Sequence, residues 1–127
     1  MKKKITLARF VCKQGDYYWG YRKQEGSWVS GYIELPTLLI DEHNHEQYFS
    51  IDKSSIAYEP FFEMKSTITH YDILNAIYVV EDLSLLPLAL FNECQLYPTD
   101  YALWANVSHK IIQKYQHKQQ TIASVEF

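Results

Sequence analysis

The chain has 127 residues, a formal net charge of −3 and 47% hydrophobic residues, which suits one globular domain over residues 1–127 and excludes a disordered chain. No apolar run reaches the length of a transmembrane helix, and the apolar segment after the basic start is too short for a signal peptide. The two cysteines lack the spacing of metal or redox motifs and suit reduced thiols. We therefore expect a soluble, cytoplasmic protein with no membrane partner.

The first half of the chain is patterned as short strands. Alternating apolar residues around a turn at residues 14–16 predict two strands between residues 3 and 24. Residues 25–31 are typical of a loop, and residues 32–40 predict a third strand that is interrupted by Pro36. The acidic start of residues 41–54 follows an apolar run, which predicts a short helix.

The second half predicts further strands and a long helix. Residues 56–68 and 71–83 are typical of a strand pair, and residues 91–97 predict one more short strand. Residues 99–118 predict a helix, because Trp104, Val107, Ile111 and Tyr115 recur at steps of three and four residues. The predicted fold class is α+β: a mixed β-sheet with one short helix and one long C-terminal helix.

Charge is unevenly distributed along the chain. The first 24 residues contain a single acid, Asp16, and the basic residues there are Lys2, Lys3, Lys4, Arg9, Lys13, Arg22 and Lys23. The C-terminal part adds Lys110, Lys114 and Lys118, whereas the remaining acids are concentrated between residues 25 and 100. A chain that is basic at both ends could present one positive face. Charge alone equally allows an unevenly charged solvated surface.

His43 and His45 are close in sequence to Glu42 and Glu46, which suggests a metal cluster. Residues two apart on a helix point to different faces, so the two histidines cannot readily share an ion. A polar helix surface is the better interpretation, and we predict no metal site. The chain also lacks the motifs of serine hydrolases and the glycine-rich loops that bind phosphate.

Three segments together resemble a known family. They are "DYYWGYRKQEGSWVSGYIELP" (16–36), "MKSTITHYDIL" (64–74) and "LWANVSHKIIQKY" (103–115). They resemble the C-terminal domain of the A/G-specific adenine DNA glycosylases (the MutY family), which remove adenine mispaired with 8-oxoguanine. Residues 33–36 correspond to a W-E-F-P-like segment, and residues 66–70 to a loop of the form H-x-F-S/T-H. Ser66 and Ile68 depart from that loop pattern. The resemblance covers about residues 5–117, which we take as the core of the domain.

The resemblance implies a Nudix-like fold and a role in base excision repair. The partner would be double-stranded DNA containing 8-oxoguanine, and the protein would be associated with the nucleoid when bound. Implied lesion-recognition residues are Thr67, Ile68, Thr69, His70 and Tyr71. Implied contacts to the DNA backbone are Lys3, Lys4, Arg22 and Lys23. The hydroxyl of Thr69 and the two ring nitrogens of His70 can supply the adjacent donor and acceptor that distinguish 8-oxoguanine from guanine. The alternative is that both residues only form a hairpin turn.

The family's catalysis takes place in a separate helical domain that carries an iron–sulfur cluster held by four cysteines. This chain has two cysteines, so we expect it to be non-catalytic by itself and to bind no cofactor. The helical domain would be a partner if the chain is part of a longer glycosylase. An excised domain and a free-standing relative are both compatible with the sequence.

Two other functions stay open. Nudix hydrolases require a box with an R-E-x-x-E-E core that holds Mg²⁺, and the residues after Gly31 lack it, so we expect no hydrolysis of nucleoside diphosphates. A degenerate Nudix hydrolase could still use Glu34, Asp41, Glu42 and Glu46 around a divalent ion. A protein-interaction module could instead use the tyrosine-rich surface to bind a repair partner.

Overall fold

The computed structural model describes residues 3–22, 32–40, 48, 50–56, 59–68, 70–87, 97–99 and 104–125, with the backbone alone for 97–99 and 121–125. The strands are β1 (Lys3–Gln14), β2 (Tyr17–Arg22), β3 (Ile33–Glu34), β4 (Thr37–Ile40), β5 (Ser50–Ile51), β6 (Phe62–Ile68), β7 (Tyr71–Val80) and β8 (Tyr97–Thr99). Among the described residues there is one α-helix, α1, which spans Asn106–Val125. Two short 3₁₀ turns cover Lys53–Ser55 and Leu83–Leu85.

Strand β1 is the centre of the sheet. It runs parallel to β7 from Lys3 to Cys12 and antiparallel to β4, and its C-terminal end forms a hairpin with β2. β6 pairs antiparallel with β7, and β5 pairs parallel with β4. β2 also pairs with β3 and β8. The result is an open mixed sheet with a C-terminal helix, which confirms the predicted α+β class.

The two faces of the sheet carry separate cores, because successive side chains of a strand point to opposite faces. On one face, Val11 and Ile77 pack against Ile111 and Ile112 of α1, and these residues are buried. We call this the helix face. The opposite face buries Ala8, Phe10, Leu38 and Tyr78 under Leu86. Burial of apolar side chains on both faces of β1 explains its long apolar run.

The N-terminal strands agree with the sequence predictions. β1 and β2 are joined by a turn at Gly15 and Asp16, and Gly15 has a φ of 61°, a conformation that glycine adopts without a steric penalty. The predicted third strand is interrupted at Pro36 as expected. Its two parts pair with different partners, β3 with β2 and β4 with β1. The predicted strand pair in the second half is also confirmed as β6 and β7.

The predicted short helix over residues 41–54 is wrong for its described part. Residues 41–47 lie outside the described residues, but Ser50 and Ile51 form strand β5, and a 3₁₀ turn begins at Lys53. Ile40 pairs with Ile51 in the parallel β4–β5 ladder. Residues 50 and 51 form a strand because they pair with β4. The acidic residues at the start of the segment carry no information about this pairing, so the sequence pattern alone predicted a helix.

The long helix begins seven residues later than predicted, at Asn106 instead of residue 99. Residues 97–99 form β8, which pairs with β2. The Ala105 backbone amide donates a hydrogen bond to the Ile33 carbonyl at 2.7 Å, and Trp104 forms a bridge with the same residue. These long-range bonds hold residues 104 and 105 extended. Of the predicted strand at residues 91–97, the part before Tyr97 lies outside the described residues.

No helix in the described part of the chain is both long enough and apolar enough to span a bilayer.

Candidate nucleic-acid interface

The predicted recognition residues lie at the β6–β7 hairpin. Ile68 pairs with Tyr71 in the last step of the ladder, which leaves a two-residue connection at positions 69 and 70. His70 is exposed at this turn, and Thr69 lies outside the described residues. A two-residue connection of this kind forms a tight hairpin turn. The local sequence therefore builds a narrow, solvent-exposed tip.

Two of the lysines predicted to contact the DNA backbone lie beside this tip, because β1 runs parallel to β7. Lys3 is in register with Tyr71, and Lys4 with Asp72. The Lys3 backbone amide donates a hydrogen bond to the His70 carbonyl at 2.8 Å. In the sequence, the family resemblance was the one reason to assign these lysines and the loop to the same site. The structure supplies the physical link, which is the start of β1 beside the turn.

Strand alternation divides the predicted recognition residues between the two faces of the sheet. Thr67 is exposed on the face opposite α1. Ile68 and Tyr71 are half-buried and pack against the cluster that contains Ile5 and Ile73. These two side chains consequently contribute to the core as well as to the tip, whereas Thr67 and His70 are the exposed polar groups.

An open groove of about 770 Å³ borders the tip on the face opposite α1. Its polar lining includes Lys4, Lys65, Thr67 and Asp72. Lys65 was missed by the sequence reasoning, although its position two residues before Thr67 in a strand places both side chains on one face. The lysines on both sides of the groove give it donors suited to an anionic ligand, and Asp72 is the acid among them.

Arg22, by contrast, is not part of this site. It lies at the end of β2 and pairs with Ile33 of β3, in the part of the sheet that extends away from the β1–β7 ladder. Lys23 lies outside the described residues. Among the four predicted backbone contacts, the structure therefore joins Lys3 and Lys4 to the hairpin tip and separates Arg22 from it.

A buried polar network lies on the helix face beside the hairpin strands. The Arg9 guanidinium donates to the Asn75 side-chain oxygen at 2.7 Å and to a Glu34 carboxylate oxygen at 3.1 Å. All three residues are at most 2% exposed. Burial opposes the charged form of Arg9, but the Glu34 carboxylate raises the Arg9 pKa above its ordinary value. Arg9 thus stays charged in the core and cannot contribute to a positive surface.

The network continues from Glu34 to Tyr48, and from Asn75 to strand β6 of the hairpin. The Tyr48 hydroxyl lies 3.1 Å from both Glu34 carboxylate oxygens, and burial raises the pKa of this hydroxyl. The Asn75 amide donates to the Met64 carbonyl at 3.0 Å and to the Ser66 hydroxyl at 2.9 Å. β6 is therefore tied to the core by side-chain bonds in addition to its backbone ladder.

These bonds also bear on the metal-site alternative. Glu34 uses its carboxylate to neutralise Arg9 and to accept from Tyr48, so a cation would have to displace a buried positive charge to reach it. Asp41, Glu42, His43, His45 and Glu46 lie outside the described residues. Within the part of the chain that the structure describes, no three acidic, histidine or cysteine side chains are grouped as metal ligands.

Comparison with models of known protein families gives no match for this chain, and a search of curated proteins finds no significant match either.

Proposed function

We propose that this chain is a non-catalytic domain that recognises 8-oxoguanine opposite adenine in duplex DNA, as the C-terminal domains of adenine DNA glycosylases do. The observation that carries the proposal is the hairpin tip: exposed His70 and Thr67 with Lys3 and Lys4 in register beside them. A Nudix-like fold for the open mixed sheet belongs to the same proposal. The family resemblance is the reason to expect 8-oxoguanine as the ligand, and the exposed hairpin tip is a surface suited to contact it.

The chemistry of the tip suits reading one base. 8-Oxoguanine differs from guanine by a carbonyl oxygen at C8 and an N–H at N7, so its recognition requires a donor and an acceptor close together. The imidazole of His70 offers both on opposite ring edges, and a threonine hydroxyl can donate and accept. Thr69 is the predicted second reader, and Thr67 is the described hydroxyl nearest to it along the strand.

The lysines at the tip would have a different task. Ammonium groups that contact phosphates position a protein on DNA without reading its sequence. Lys4 and Lys65 flank the groove from β1 and β6, which would allow backbone contacts on either side of the tip. Base contacts and phosphate contacts should then be separable by mutation.

The hydrolase alternative has less support, because Glu34 is engaged with Arg9 in the core. A protein-interaction module finds no specific support in the geometry, since among the described residues only Tyr17, Tyr32 and Leu85 are large apolar side chains with high exposure.

The test compares binding to two duplexes that differ only in 8-oxoguanine versus guanine opposite adenine. We expect His70→Ala and Thr69→Ala each to reduce the preference for the lesion by about 5- to 150-fold, the equivalent of about 1–3 kcal/mol for a base contact. Lys4→Gln is the matched control and should weaken binding to both duplexes equally. Fluorescence anisotropy at fixed salt measures all four proteins.

The opposite pattern would count against the proposal. If His70→Ala and Thr69→Ala reduced the affinity for both duplexes by one common factor, the tip would be a structural turn or a phosphate contact. An unchanged thermal unfolding midpoint in each variant confirms that the fold is intact.

A further inference from the structure

One flank of helix α1 carries a second concentration of positive charge, separate from the hairpin tip. The helix contains no acidic residue over its whole length from Asn106 to Val125. Its lysines are Lys110, Lys114 and Lys118, at steps of four residues. Residues spaced by four lie on one side of a helix, and Ser108, Ile111 and Ile112 occupy the side that is buried against the sheet. The three lysines therefore share one flank of the helix, where Lys110 and Lys114 are exposed and Lys118 is half-buried.

Two of these lysines are held in place by one aromatic ring. The Lys114 ammonium lies 5.0 Å from the centroid of the Phe62 ring, and the Lys118 ammonium lies 5.8 Å from it. Phe62 is 9% exposed and is itself packed against Phe61. Cation–π contacts of this length favour one position of an otherwise flexible side chain. Two like charges that are held near one ring repel each other, and an anion between them would remove that repulsion.

The acids nearest to Phe62 in sequence do not neutralise this charge. Glu63 and Glu59 are exposed, but both line a cavity of about 430 Å³ together with Lys53, Thr6 and Leu74. That cavity lies on the face of the sheet opposite α1, because Thr6 and Leu74 alternate with the residues that pack on the helix face. No ion pair of Lys114 or Lys118 with an acid occurs within the described residues.

We propose that Lys110, Lys114 and Lys118 form a second DNA contact, which binds phosphates of the duplex regardless of its sequence or damage. Phe62 begins β6 and Ile68 ends it at the hairpin tip. The two ends of such a strand are separated by about 20 Å, at about 3.4 Å per residue, which is the axial length of roughly six base pairs. A duplex lying along β6 would span both the hairpin tip and the position of the helix lysines. The proposal rests on the proposed function for its partner, and it assigns the helix lysines a task that the hairpin does not perform.

The experiment measures the salt dependence of binding to undamaged duplex DNA. Each phosphate contact contributes about 0.9 to the slope of log K against log salt. The double variant Lys114→Gln/Lys118→Gln is expected to reduce the slope by about two and to leave the 8-oxoguanine preference unchanged. The variant Lys114→Arg/Lys118→Arg keeps both charges and should retain the slope. Gln113→Ala is the control, because this residue is exposed on the same helix but carries no charge, so its loss should not change the slope.

The outcomes separate this inference from the proposed function. An unchanged slope in the Gln double variant would overturn the inference, while a preserved preference for 8-oxoguanine would leave the proposed function standing. A reduced slope without any lesion preference would support the helix surface and contradict the proposed function. Tighter binding of polyglutamate than of the duplex would show that the surface serves an acidic protein and would overturn the inference. Absence of any duplex binding would overturn it as well.

Discussion

At the residue scale, Arg9 shows most clearly what the sequence conceals. By its position it is one of seven basic residues at the start of the chain, yet its side chain is buried and paired. Its partners Glu34 and Asn75 are 25 and 66 positions away. No local pattern contains such pairing, so the sequence predicted the strand on which Arg9 lies but not the side chain's surroundings. An arginine can be buried where several acceptors surround its planar group.

The first prediction concerns the buried ion pair. We expect Glu34→Gln to lower the free energy of unfolding by about 3 kcal/mol, because removal of one partner leaves the buried Arg9 charge uncompensated. Urea denaturation measures this change. Glu63→Gln provides the control: its side chain is exposed, and its cost should stay within about 0.5 kcal/mol. Equal unfolding midpoints for the two variants would show that the Arg9–Glu34 pair does not stabilise the core.

The second prediction concerns alkaline pH. Burial raises the pKa of the Cys12 thiol, and it raises the pKa of the Tyr48 and Tyr115 hydroxyls as well. Above the ordinary values of about 8.5 for cysteine and about 10 for tyrosine, the unfolded chain releases protons that the folded protein retains. The stability from these groups is therefore complete below about pH 8.5 and is lost progressively as the pH rises further.

Urea unfolding between pH 7 and pH 10.5 checks this expectation. The variant Cys12→Ala/Tyr48→Phe should be less stable at pH 7, because it loses packing and a hydrogen bond, but its stability should fall less steeply with increasing pH. Parallel curves for the variant and the unchanged protein would refute the assignment of the alkaline loss to these two groups.

At the scale of the elements, the hairpins were predictable and the short strands were not. The β1–β2 and β6–β7 hairpins have a turn between two alternating segments, and both features are local. β5 has two residues and β8 has three. β5 exists through its pairing with β4, eleven residues earlier, and β8 through its pairing with the distant strand β2. The predicted start of α1 was too early for the same reason. The helical spacing of apolar residues includes Trp104, but backbone bonds to Ile33 hold Trp104 and Ala105 extended.

The third prediction concerns the contact between β2 and Trp104. A Cβ atom on Gly20 would lie 2.6 Å and 2.8 Å from two atoms of the Trp104 ring and 2.9 Å from the Glu34 carbonyl oxygen. The ring and the β3 backbone are both packed, so Gly20→Ala should lower the free energy of unfolding by about 1–3 kcal/mol. Trp104→Leu should reduce this cost in a double-mutant cycle. Additive effects of the two changes would mean that the close approach is relieved elsewhere.

At the scale of the whole molecule, the sequence allowed either one positive face or an unevenly charged surface, and the structure distributes the basic residues over separate places. Lys3 and Lys4 lie at the hairpin tip, Lys114 and Lys118 lie over Phe62, and Arg9 is buried. With a net charge of −3, long-range attraction to DNA is weak, so binding should depend on local phosphate contacts and fall steeply with salt. The candidate site itself could be named from the sequence only through a family resemblance. Its physical basis, the parallel β1–β7 register, emerged from the fold.

The proposed recognition of 8-oxoguanine by the hairpin tip can be tested on the unchanged chain by a comparison of two duplexes. That measurement is the ratio of the dissociation constants of the unchanged chain for duplexes with an 8-oxoguanine–adenine pair and with a guanine–adenine pair, at one low salt concentration. We predict that the lesion duplex binds at least about 5-fold more tightly, as expected for one specific base contact of about 1 kcal/mol or more. A ratio of one, with measurable binding to both duplexes, would show that the hairpin tip does not distinguish 8-oxoguanine from guanine.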